Sequence, residues 1–163
     1  MKGDSLRTHL ADRSVVEKTD ERIKGVGEID EANAFIGLAR VSVDDEEIKG
    51  MLLEIQKMMF KAGSQVVGGE EKIGAEDLDV LKKFEAELLE KVTFPRSFII
   101  LEKDEASAYL SVARAVVRRA ERKVVELCRE GYVDRALVDW LNKLSYVLYL
   151  MILKVQGGDY LKV

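Results

Sequence analysis

At 163 residues, 47% hydrophobic and 34% charged, the chain is long enough to bury one core and too apolar to be disordered. A formal net charge of −4 argues against a general nucleic-acid binder, and the lone Cys128 excludes an intrachain disulfide and a cysteine-cluster metal site. A single proline, with Val and Ile set among Glu, Lys, Ala and Leu, favours helices over sheet.

Residues 1–19 lack a sustained period and read as an irregular arm. Residues 1–10 are polar and charged, unlike a secretory signal, and the longest apolar run, 146–153, falls short of a membrane span. The expectation is a cytoplasmic protein with no membrane association. A first helix opens at Asp20 or Glu21 and runs to about Arg40, with Val26, Ile29, Asn33 and Ile36 on one face. Residues 42–45 supply capping side chains for a second helix. That helix carries Ile48, Met51, Leu52, Ile55, Met58, Met59, Ala62 and Val66 at three-four spacing and ends at Gly68 and Gly69. Residues 75–91 repeat the pattern with Leu78, Leu81, Phe84 and Leu88, and residues 92–103 read as a connection. A fourth helix, about 104–129, sets Leu110, Ala113, Val117, Ala120, Val124 and Leu127 in heptad-like order before Gly131. The fifth, about 134–155, uses Leu137, Leu141, Leu144, Leu148, Met151 and Val155. The predicted fold is one all-α domain over 1–163, a five-helix bundle with ferritin-like up-down packing.

Three polar constellations stand outside this core. On the fourth helix Arg114, Arg118 and Arg122 recur every four residues and share one stripe, with Glu121 between the last two. Planar guanidinium groups at that spacing suit a triphosphate; a solvated face with i,i+4 pairs is the plainer alternative. On the first helix Gly27, Asp30, Ala34 and Gly37 form a stripe of mostly small residues. Another helix or chain could approach there, making Asp30 half-buried and in need of a cation; an exposed acid is the plainer alternative. On the last helix Asn142, Ser145 and Tyr149 lie away from the leucine stripe, to bind a ligand or to face water.

Taken together, the pieces resemble the PduO-type ATP:cob(I)alamin adenosyltransferase family. They are Lys18, then GVGEIDEANAFIGLAR (25–40), IQKMMFKAGSQV (55–66), Phe98, ARAVVRRAER (113–122) and LNKLS (141–145). The resemblance implies a homotrimer with active sites between subunits. By position it implies that Arg118, Arg119, Glu121, Arg122 and Asn142 contact ATP. Gly3, Thr8 and Lys18 would belong to a flexible arm, 1–19, that closes over the triphosphate. Asp30 and Arg114 would form a salt bridge across the subunit interface near the corrin. Phe98 would sit against the lower face of cobalamin and keep the cobalt free of its lower ligand.

The implied reaction needs no serine, cysteine or histidine nucleophile. Co(I) attacks the ribose 5′ carbon of ATP, and triphosphate leaves. The protein aligns the two and stabilises the charge growing on the phosphates, with Arg118 the foremost catalytic group. Magnesium would ride on the ATP phosphates, with no direct protein ligand. A reductase or an adenosylcobalamin-dependent enzyme would be the protein partners, and nucleic acid would not. His9 reads as an ordinary arm residue and Cys128 as packed.

The sequence departs from the family at the arm, where GDSLRT has Leu6 in place of a glycine, and Arg7 supplies charge. Leu101-Glu102-Lys103 replaces a Pro-Gly-Gly turn, Ser111 stands where the family has histidine, and LNKLSY has Lys143 and Tyr146 in place of arginine and aspartate. Two other functions fit the same residues: a relative that binds ATP or cobalamin as a carrier or sensor, and a helical scaffold binding RNA or an acidic partner.

Overall fold

Side chains that cap helices divide this chain into its elements. In the computed structural model, which describes residues 5–163, the helices are α1 (Glu21–Ser42), α2 (Glu46–Val66), α3 (Ala75–Leu89), α4 (Glu105–Arg129) and α5 (Arg135–Gln156). Asp20 opens α1 by accepting from the Arg22 backbone N–H at 2.8 Å, and Asp45 opens α2 by accepting from Ile48 at 3.0 Å. Asp104 and Ser107 cap α4 reciprocally, at 2.7 and 2.9 Å. Gly131, at φ 83°, ends α4, and the Tyr132 N–H donates back to the Leu127 carbonyl at 2.9 Å.

The five predicted helices are therefore present, with ends within two residues of those expected. α4 is the central member and packs on both α1 and α5; α2 packs on α1, and α3 on α5. The core runs through Ile29 and Ile36 of α1, Ile55 and Met59 of α2, Val117 and Val124 of α4, and Trp140 and Leu148 of α5. Cys128 is half-buried against it.

α5 is more apolar than the run 146–153 alone suggests. By length and composition it matches a membrane span, with a mean hydropathy of 1.3 over its most apolar 18-residue window, because Leu137, Val138, Trp140, Leu141 and Leu144 add to the run 146–153. Most of that window is buried inside the bundle, so its composition is accounted for by core packing.

The ends of the chain correct two expectations. The arm is not irregular: β1 (Arg7–His9) pairs antiparallel with β2 (Val15–Glu17). Asp12 makes the turn by accepting from the Ser14 N–H at 2.8 Å, while Arg13 takes the left-handed conformation at φ 67°. Buried Leu10 and a 3.0 Å bond from the Ala11 N–H to the Val67 carbonyl seat the hairpin on the end of α2. The 92–103 connection contains β3 (Ile99–Ile100), which pairs antiparallel with β4 (Leu161–Lys162) beyond the last helix. The fold is thus a helical bundle with two small sheets.

Candidate active site

α4 carries two sets of cations with different fates. Arg119 and Lys123 turn toward α1. Arg119 pairs with Glu28 at 2.5 Å and also with Glu31, while Lys123 pairs with Glu21 and, at 2.9 Å, with Glu126. The bond to Glu28 holds the Arg119 guanidinium above its ordinary pKa, and the bond to Glu21 does the same for Lys123. Arg114, Arg118 and Arg122 lie on the other stripe, and none forms an ion pair among the described residues. The nearest bond is internal: the Arg122 guanidinium donates to the Arg118 carbonyl at 3.1 Å.

Arg114 and Arg118 line a cleft of about 490 Å³ between α4 and α5, with Asn142, Ser145, Tyr146 and Tyr149. Asn142 is exposed and donates to the Glu121 carboxylate at 3.0 Å, so these two residues form a polar rim beside the arginines. Ser145 is buried, its hydroxyl donating to the Asn142 carbonyl at 2.9 Å, and Tyr149 is half-buried. The water-facing alternative thus holds for Asn142 alone. The Tyr146 and Tyr149 rings stack at 6.4 Å, while Lys143 turns to α3 and pairs with Glu85 at 2.6 Å.

Arg114 is half-buried, and its Nε is buried without a hydrogen-bond partner. Burial, and then the charge of Arg118, push its pKa down. Such a group favours an incoming anion, since an unpaired buried donor is costly. The Glu102 carboxylate lies within electrostatic range of Arg114 and accepts from the Ser111 hydroxyl. Glu102 and Ser111, which the sequence marks only as departures from the family, thus meet beside the cleft.

Asp30 lies elsewhere. It is exposed on α1, lining a groove of about 430 Å³ toward α2 with Val26, Asn33, Met59, Phe60 and Gly63. No ion pair joins Asp30 to Arg114 among the described residues. Phe60 is 73% exposed beside that groove, and the Oδ1 of Asn33 is buried without a partner.

The arm residues sit at the hairpin. Thr8 is half-buried on β1 opposite Val16, and Lys18 follows β2, its backbone N–H donating to the Leu6 carbonyl at 2.9 Å. Gly3 lies outside the described residues. Phe98 precedes β3 and is 88% exposed.

Comparisons with known proteins bear on the family and the fold. The sequence profile described as cobalamin adenosyltransferase matches residues 1–155. The chain is 31% identical to the corrinoid adenosyltransferase PduO of Salmonella typhimurium over 91% of its own length and 46% of that protein's, so it spans about half of that relative. It is 32% identical to a cobalamin adenosyltransferase of Cupriavidus metallidurans, over 96% of this chain and 87% of that one. With a corrinoid adenosyltransferase of Mycobacterium tuberculosis it shares 34% identity, over 91% and 83%.

Two solved structures of variants of the PduO-type adenosyltransferase from Lactobacillus reuteri share the fold at 22% identity. The one complexed with cobalamin and ATP gives a TM-score of 0.88 over 98% of this chain and 91% of that one. The one complexed with ATP gives 0.90 over 99% and 97%. A profile match across nearly the whole chain, joined to relatives of similar length, makes this protein a member of the cobalamin adenosyltransferase family.

Proposed function

We propose that the protein is an ATP:cob(I)alamin adenosyltransferase, moving the 5′-deoxyadenosyl group of ATP onto reduced cobalamin. The observation that carries this reading is the unpaired arginine stripe of α4: Arg118 and Arg122 project beside a half-buried Arg114, in a chain of this family. Their guanidinium forks match phosphate oxygens and have no carboxylate to leave first. Co(I) supplies the electron pair that forms the bond to C5′, the C5′–O5′ bond breaks, and triphosphate departs with its electrons. Arg118 and Arg122 stabilise the charge that accumulates on the leaving group, with magnesium on the same phosphates. Glu121 and Asn142 hold the nucleoside side of the cleft, and Gly3, Thr8 and Lys18 close the arm over the phosphates. Arg119 joins them only by giving up Glu28 and Glu31, which makes its share the smallest of the arginine contributions.

The same reading makes the active unit a cytoplasmic homotrimer. Asp30 stands exposed in an apolar groove on one side of the bundle, and Arg114 waits with an open donor in a cleft on another. A second copy of the chain would bring them together near the corrin, where Phe98 would cover the lower face of the cobalt. Mixing reduced cobalamin with Mg-ATP tests the activity: the spectrum should change to that of a cobalt–carbon bond.

A second reading rests on Leu6, which stands where the family has a glycine and whose carbonyl is engaged by the Lys18 N–H. It is a relative that binds ATP without efficient transfer. ATP binding with no spectral change in that assay would favour it.

A further inference from the structure

The family match ends at residue 155, yet the chain continues and folds back on itself. Gly157 and Gly158, at φ 61° and 84°, reverse the direction of α5 in a conformation that side chains disfavour. Residues 159–163 then run along the connection between α3 and α4. Lys103 donates to the Asp159 carbonyl at 2.9 Å and pairs with its carboxylate. The Tyr160 hydroxyl donates to the Thr93 carbonyl. β4 pairs with β3, Leu161 opposite Ile100 and Lys162 opposite Ile99, and the Val163 N–H donates to the Phe98 carbonyl at 3.1 Å. Buried Gln156 reaches the Leu101 carbonyl at 2.6 Å from the other side.

These ties fall on Thr93, Phe98, Ile99, Ile100, Leu101 and Lys103, on both sides of one exposed ring. Phe98 itself is 88% exposed, so burial of its side chain does little to hold the ring in place. Its backbone is held instead, by the last residues of the chain.

We propose that residues 156–163 act as a positioning strap for Phe98, with Gln156, Tyr160 and Val163 its principal fastenings. The strap presents the Phe98 ring at one fixed height to the corrin, and it acts on the corrinoid side of the reaction without touching the nucleotide side. This rests on the reading, given above, that Phe98 faces the corrin. Loss of one fastening frees the β3 end of the connection, and a ring that samples several positions covers the cobalt for only part of the time.

The test uses the full chain, Val163→Pro and a variant ending at Gly158, with Phe98→Ala as the reference for the ring itself. Val163→Pro removes only the N–H that reaches Phe98 and suits an extended neighbour. Each is assayed for the KM of reduced corrinoid and of ATP, and for the spectrum of bound cob(II)alamin with its lower ligand removed. Circular dichroism confirms the helical fold. Val163→Pro should raise the corrinoid KM about three- to tenfold, as expected for one hydrogen bond, with the ATP KM within about twofold. It should also reduce the cob(II)alamin signal, and the shortened chain should do both more strongly. If Phe98→Ala is impaired while Val163→Pro and the shortened chain match the parent, the strap is wrong. Equal rises in both KM values would also overturn it. If Phe98→Ala itself behaves as the parent, the ring does not face the corrin, and the strap falls with that reading. Should the shortened chain fail to fold, Val163→Pro alone decides.

Discussion

Arg118 and Arg119 are neighbours in sequence, but their side chains do different work. Arg119 is committed to Glu28 and Glu31 of α1, whereas Arg118 meets no carboxylate and borders the cleft that also holds Arg114. Arg118→Ala should therefore cut turnover by about 10²–10³-fold, the usual cost of losing one preorganised charge-stabilising donor, and leave the thermal midpoint near the parent's. Arg119→Ala should do the reverse, lowering the midpoint more and the turnover less. Steady-state rates and thermal melts of the two variants check this pairing; equal losses of turnover would mean that Arg119 leaves its carboxylates for the nucleotide. The four-residue recurrence of Arg114, Arg118 and Arg122 was readable from the sequence, because a helix puts such positions on one face. The fate of Arg119 was not. Its partners lie about ninety residues away, and only the packing of α1 on α4 brings them near. The pairing of Glu102 with Ser111 escaped for the same reason: the sequence marks both as departures from the family, but only the fold of the connection brings them together.

At the scale of elements, helices were legible and strands were not. Each helix carries a dozen or more residues of apolar period and a capping Asp or a terminal glycine, a signal that accumulates over its length. β3 and β4 are two residues each and lie about sixty residues apart, so neither has a local signature. The arm hairpin did leave a trace, Asp12 and Ser14 before the β-branched pair Val15-Val16, which is a turn followed by a strand. One inter-element clamp gives a pH prediction. Lys154 of α5 pairs with Glu47 of α2 and with Asp45, and Lys91 reaches the same Glu47 at 2.5 Å. The bonds from Lys154 and then Lys91 hold the Glu47 carboxyl below its ordinary value of 4.5. A lowered folded-state pKa contributes stability that is present above the ordinary value and is lost as pH falls through the lowered one. Glu47→Gln should therefore lower the melting midpoint by on the order of 1–3 °C at neutral pH. That gap should close as the pH falls well below 4.5. Melting curves of parent and variant from pH 7 to about pH 3 measure it; a gap unchanged across the range would mean that the Glu47 charge is not what fastens Lys154.

The whole molecule leaves two complementary features apart. Asp30 sits in an apolar groove beside exposed Phe60, and Arg114 offers an unpaired buried donor in the cleft between α4 and α5. If copies of the chain join through these surfaces, light scattering should give three times the mass of the chain. Asp30→Asn should then weaken assembly and raise the corrinoid KM about tenfold, since the half-buried Arg114 would keep its charge at the interface without its acid. An unchanged mass and an unchanged KM would remove the Asp30–Arg114 bridge. The small residues around Asp30 and the family resemblance made this expectation available from sequence, but the separation of the two sites within one chain became visible only in the fold. The most direct test of the chemistry remains the spectrum of reduced cobalamin mixed with the full chain and Mg-ATP. An adenosyltransferase should convert it to the spectrum of a cobalt–carbon bond and release triphosphate in equal amount. A Co(I) spectrum that persists while ATP is demonstrably bound would contradict that function.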